Sequence, residues 1–287
     1  YYILFDELDE DYKDVIRLGR QNEYMSLLTS LFKAIQDIRG VVKTDVINIK
    51  PIIFLRDDIY DIILDPDKNK WNDFKIDLNW TKESIKRLIA FRISRAIDPQ
   101  NDILPFNIAW SHIFENKLVS MGTNKRKKMR IFDYITMSTH LRPRDYVRYL
   151  QVCAHESLTD KESIISPNIV KRVDKAFSNY LRAELVDEIH GVLPDIQEIL
   201  SVISEIRKWN FSISEFRSHY NNHLKNGTVT TPDVDFVLKV LFHFGVIGNQ
   251  AKQKTATFFR YVNREARLNF NERLVIHRGL FKSLQIM

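Results

Sequence analysis

The chain begins with an unbroken apolar run, Tyr1-Tyr2-Ile3-Leu4-Phe5. Such a run reads as a short strand covered on both faces, as in a parallel sheet. Tyr24, Leu27, Leu28, Leu31, Ile35 and Ile38 then recur at three- and four-residue spacing, which predicts an amphipathic helix stopping at Gly40. In "KPIIFLRDDIYDIIL", Ile52 to Leu55 predict a second short buried strand ending at Arg56. Strand, helix and strand in that order form the crossover unit of an α/β sheet.

Beyond about residue 66 the pattern changes. "DPDKNKWNDFKIDLNW" is polar and turn-rich, and Thr81 then stands where it would cap a helix with Ile85, Leu88, Ile89, Arg92, Ile93 and Ala96 on one face. Helical spacing continues through 104–120, 129–137, 143–156, 167–190 and 194–209. Pro232 to Phe244 predicts a helix closed by Gly245, and "VIGN", "QAKQK" and "TATFFRYV" predict a β-hairpin with a polar tip. A last helix is expected at about 271–284. Helices followed by a two-stranded wing suggest a winged helix. The expected fold is α/β plus mostly α: a partial sheet domain at 1–66, a helical lid at 67–160, and a helical region with a winged helix at 161–287.

Composition narrows the class. At 287 residues, 44% hydrophobic and 28% charged, the chain is long enough to bury a real core. No apolar run approaches the roughly 20 residues that cross a bilayer, and no signal-peptide pattern is present. The expectation is a cytoplasmic protein without a membrane partner. The single Cys153 excludes an internal disulfide and reads as a buried thiol. Forty-three Lys and Arg against 37 Asp and Glu give +6 and a pI near 9.2, which favours phosphate-bearing partners. The surplus is uneven: acidic clusters fill the first hundred residues, whereas "NKRKKMR" and "RPRDYVRYL" are basic.

The end of the first strand carries the sharpest chemistry. Asp6-Glu7 would stand at the carboxyl edge of a parallel sheet, where open α/β folds bind ligands, at the Walker B position of a P-loop NTPase. There Asp6 could hold Mg²⁺, a hard cation that takes oxygen ligands, while Glu7 polarises the attacking water. The alternative is a solvated acidic turn. Arg56, at the edge of the neighbouring strand, could sense phosphate charge or make a surface ion pair with Asp57 or Asp58. Arg142, Arg144 and Arg148, around a helix beginning at Pro143, could face an anion or pair with Asp145.

"YYILFDELDEDY", "KPIIFLRDDIYDII", "NKW", "LNWTKESIKRLIAFRI", "RPRDYVRYLQVC" and "FHFGVIGN…FFRYV…VIHRGLFKSL" together resemble the second half of bacterial STAND- or KAP-related P-loop ATPases. The resemblance implies ATP and Mg²⁺ as cofactors, Asp6 for the metal, Glu7 for water activation, Arg56 as a sensor-1-like residue and Arg144 as a sensor-2-like one. It also implies nucleotide held between core and lid, a switch of conformation or oligomeric state, and a setting in anti-phage defence or signalling. No GxxxxGK[ST] occurs, and the eight glycines are scattered. Either the sequence is part of a longer ATPase or the ATPase is degenerate; the non-Met start inside a strand favours the former.

A rival from another class is a non-enzymatic winged-helix DNA-binding or regulatory protein. Lys252, Lys254 and Arg260 on the wing could touch phosphates, or the module could dock within the chain or on a partner effector or second copy. His155, His243 and His277 read as packing or capping residues. Trp71, Trp80, Trp110 and Trp209 are too dispersed for a stacking platform and read as anchors of the core.

Overall fold

The two apolar runs form strands β1 (Tyr2–Phe5) and β2 (Lys50–Ile53) in a computed structural model that describes residues 1–9, 20–41, 49–122, 127–251 and 256–286. They pair in parallel, from Tyr2 opposite Lys50 to Phe5 opposite Ile53. The connection includes helix α1, Gln21–Val41, which runs on through Gly40 because one glycine costs a helix only about 1 kcal/mol. β2 starts and ends two residues earlier than its apolar run suggests.

The chain divides into two compact units, Tyr1–Leu78 with His190–Val192, and Asn79–Ile189 with Leu193–Met287. In the first, α1 packs with α2 (Asp57–Ile62) and α3 (Lys68–Trp71) around Tyr24, Leu28, Ile59, Tyr60, Ile63 and Trp71. Phe32 stacks on Trp71 with ring centroids 4.8 Å apart. The strands depart from expectation in burial: Tyr2 and Leu4 are 68% and 60% exposed. An apolar run specifies a strand without specifying its cover, and two strands alone do not shield one another's faces.

The second unit opens with α4 (Lys82–Ile97). Thr81 caps it as its position predicts, in a reciprocal pair where Ser84 N–H donates to the Thr81 hydroxyl and Thr81 N–H donates to the Ser84 hydroxyl. Helix α5 (Phe106–Ser111) is shorter than the periodicity of 104–120 suggests. Leu118–Met121 (β3) instead pairs antiparallel with Lys127–Arg130 (β4), so much of the basic "NKRKKMR" run is strand. Short apolar windows fit either period, which explains the error. Helices α6 (Ile131–Thr136), α7 (Pro143–Thr159), α8 (Pro167–Arg172) and α9 (Asp174–Ile189) follow.

The remaining order is α10 (Ile196–Ile206), β5 (Asn210–Phe211), α11 (Ile213–Lys225), α12 (Val234–His243), β6 (Ile247–Gln250), β7 (Thr257–Phe258) and β8 (Arg273–Ile276). Gly245, at φ +72°, ends α12 as expected. The hairpin of β6 and β7 is present, but the helix expected at 271–284 is not. Its first part is β8, which pairs with both β5 and β6 in a sheet of order β5-β8-β6-β7. A 3₁₀ turn, Arg278–Leu280, follows. Central-strand burial of Leu274, Val275 and Ile276 outweighs any helical spacing in this stretch.

Asp174, at the start of α9, gathers these parts. It accepts hydrogen bonds from Tyr134 of α6 and, at 2.7 Å, from Tyr149 of α7, and it pairs with Arg278 at 3.2 Å. Arg278 also lies 4.0 Å from the centroid of the Tyr134 ring and donates to Ser138. Burial pushes both tyrosines up, and the Asp174 charge adds to it. Asp174→Ala would strand a half-buried guanidinium and two phenols, so urea unfolding should show a loss of about 2–4 kcal/mol without a change in m-value.

Candidate functional site

The carboxyl ends of β1 and β2 lie side by side, with Phe54 N–H donating to the Phe5 carbonyl at 2.8 Å. Beyond that edge, Asp6 Oδ1 accepts the Glu7 N–H at 2.9 Å, and Glu7 occupies the left-handed region at φ +57°. A non-glycine residue there carries strain, a feature that clusters at functional turns. The Tyr24 hydroxyl donates to the Leu8 carbonyl at 2.6 Å and ties the loop to α1. Arg56, at the N-cap position of α2, pairs with Asp9 at 3.6 Å, a partner the local sequence around Arg56 did not indicate. The edge thus presents Asp6 and Glu7 to solvent beside an arginine anchored by the same loop.

Asp6 suits Mg²⁺, which takes one or two carboxylates together with water and phosphate oxygens rather than a protein cage. Among the described residues, no group of three or more His, Cys, Asp or Glu side chains is arranged to hold a metal. ATP is accommodated less completely, because no glycine-rich phosphate loop occurs in these 287 residues.

Arg142 and Arg144 are engaged by carboxylates of α9. Arg142 makes a two-pronged contact with Glu188, at 2.5 and 3.1 Å. Arg144 pairs with Glu184 at 3.2 Å and also with Glu188. Arg148 lies over the Tyr180 ring at 5.5 Å. Glu184 and Glu188 share a face of α9 by their four-residue spacing, the signal that could have nominated them as partners. Asp145 is buried and accepts the His140 N–H at 2.9 Å; burial pushes its carboxyl up, against that hydrogen bond. It is therefore a backbone cap rather than the surface partner considered for the arginines.

Of the wing residues, Lys252 and Lys254 lie outside the described residues, and Arg260 is half-buried. On α12, Val237, Leu238, Val240, Leu241 and Phe242 are buried. The other side shows Phe236, Lys239 and Asp235, the last paired with Arg217.

Cys153 is buried, and burial pushes its thiol up. His277 has the capping role expected of it, accepting Gly279 N–H at 3.1 Å, with its Nε2 3.1 Å from the Tyr261 hydroxyl. The His140 ring lies 4.4 Å away, centroid to centroid.

Fold and sites together define a mixed α/β protein with small sheets and a helical domain. Residues 83–186, from α4 into α9, match the family model of the FunZ-associated C-terminal helical domain. No curated protein and no solved structure matches the chain. Among the described residues no helix is long and apolar enough to cross a membrane.

Burial holds His277 down to about 3, and His140 well below the ordinary imidazole value of 6.5. The unfolded chain therefore binds more protons than the folded one once the pH falls below about 6.5. Stability should be level above that value and decline toward pH 3. For His277 alone the loss between pH 7 and 5 is about 2 kcal/mol. Urea titrations at several pH values check this, and His277→Gln should flatten the slope by about one proton.

Proposed function

We propose that this chain is the C-terminal portion of a P-loop ATPase that uses ATP binding and hydrolysis to switch conformation or oligomeric state, in anti-phage defence or signalling. Asp6 holds Mg²⁺, Glu7 activates the attacking water and Arg56 responds to the γ-phosphate. The observation that carries this is the parallel pairing of β1 and β2, whose ends bring the 6–9 loop to Arg56 through the Asp9 ion pair at 3.6 Å. The exposed apolar side chains of β1 add support, since parallel strands of that composition are normally covered on both faces. The missing phosphate loop would come from polypeptide outside these residues. The FunZ-associated match at 83–186 supports a defence setting for the helical lid.

We read the C-terminal module as a winged helix, a reading supported by the order α10, β5, α11, α12 and then the sheet strands, with β8 between β5 and β6. We assign it to docking within the chain or on a partner rather than to DNA. Asp233 and Asp235 occupy the N-terminus of α12, where a groove-reading helix would meet phosphates, and Lys239 is the exposed cation on that helix.

In the natural gene product, E7Q should lower ATP hydrolysis roughly 10²- to 10⁴-fold while nucleotide binding persists. D6N should weaken Mg²⁺-dependent binding. Phosphate release and fluorescent-nucleotide titration measure these effects; a product that binds no nucleotide with Mg²⁺, or is indifferent to both changes, overturns the assignment.

A further inference from the structure

The β3–β4 hairpin carries much of the basic run, and nothing at the β1–β2 edge uses it. Its register sets Leu118 opposite Arg130, Val119 opposite Met129, Ser120 opposite Lys128 and Met121 opposite Lys127. Side chains alternate across a strand pair, so Val119 and Met129 turn inward while Leu118, Arg130, Ser120 and Lys128 share the outer face. Val119 is buried and Met129 half-buried, because β3 packs on α6 and α8 and β4 runs straight into α6. Lys127, Lys128 and Arg130 are exposed, and none of them forms an ion pair among the described residues. The two strands contain no acidic residue, and Glu115, just before them, is engaged by Lys117 at 3.1 Å. Three uncompensated cations therefore stand on a ribbon whose inner face is anchored.

We propose that this ribbon binds the sugar-phosphate backbone of duplex DNA, without reading bases, through Lys127, Lys128 and Arg130. Charge complementarity selects the occupant. Duplex DNA carries one negative charge about every 1.7 Å of its axis, and each cation that meets a phosphate releases condensed counterions. Lys128 and Arg130, two residues apart on one strand, stand about 7 Å from each other on the same face, so both can follow one backbone. A single strand would call for aromatic side chains on which bases stack, and the ribbon has none. Duplex RNA is gripped largely through its 2′-hydroxyls, for which Ser120 is the one hydroxyl on these strands. An anionic lipid surface would call for an apolar face to insert, whereas Leu118 is the one exposed apolar residue here. None of the three cations belongs to the edge of Asp6, Glu7 and Arg56, so the failure of either assignment leaves the other standing.

Fluorescence anisotropy of a short labelled DNA duplex, titrated with the full chain across a salt series, tests it. Three phosphate contacts predict that the logarithm of the binding constant falls against that of salt with a slope of about −2.7 or steeper. K127Q/K128Q/R130Q should flatten the slope by about 2.7 and weaken binding roughly tenfold or more at low salt; K128Q alone should flatten it by about 0.9. K225Q/K239Q/K282Q removes the same charge from exposed lysines of the C-terminal module and should bind as the parent does. Circular dichroism checks that these surface changes leave the fold intact. A chain that does not bind the duplex overturns the proposal, as does a slope that the ribbon variants leave unchanged. An equal loss in the C-terminal variant overturns it too, because net charge or the C-terminal module would then supply the affinity. So does tighter binding to single-stranded DNA, duplex RNA or anionic vesicles.

Discussion

The second unit depends on one half-buried carboxylate. Asp174 receives phenols from α6 and α7 and a guanidinium from the C-terminal turn, so it joins segments far apart in sequence. A half-buried carboxylate without partners is costly, but three donors compensate it. Close packing then follows from the same arrangement. A Cβ on Gly279, next to Arg278, would lie 2.2 Å from the Ser138 carbonyl and 2.6 Å from Leu181, so the turn approaches α6 and α9 as only glycine can. Ser178 reinforces it by accepting the Ser283 N–H at 2.9 Å.

A second internal clasp works alike. Asp195, just before α10, accepts the N–H groups of Thr230 and Thr231 at 2.7 and 3.1 Å, together with both hydroxyls. Burial pushes its carboxyl up, yet the threonine hydrogen bonds outweigh that and hold it below the usual carboxylate value. The loop between α11 and α12 is thereby fixed to the start of the amphipathic α10, whose Ile199, Leu200, Val202 and Ile203 are buried. The two acids share a logic: each satisfies backbone or side-chain donors that the helical core alone leaves unmatched.

Local rules were legible where local chemistry decides. Thr81 with Ser84, Gly245 and the Pro143 helix start all act through neighbours within a turn, and each stands where the sequence places it. The strand pair was legible too, because apolar runs flanking a helix leave few topologies. Tertiary context decided the rest. Nothing in "RLVI" distinguishes a central strand from a helix until β5 and β6 are present on either side. Asp174 was invisible because its donors lie 25, 40 and 104 positions away.

Charge is the final point on which function turns. A formal surplus of +6 suggests a phosphate-binding surface, but much of the basic chemistry is spent internally. Arg142 and Arg144 brace α7 against α9 through Glu184 and Glu188, Arg172 pairs with Glu156 and Asp160, and Arg217 pairs with Asp235. A cation already held by a carboxylate must exchange that partner before it can hold a phosphate, so it contributes less to nucleic-acid affinity than the net charge implies. At the β1–β2 edge the balance differs. Arg56 is held by Asp9 at 3.6 Å, longer than the two-pronged Arg142 contact, and in the same loop as Asp6 and Glu7. That contact ties Arg56 to the loop that carries Asp6 and Glu7, so the edge presents charges of both signs rather than a cationic surface.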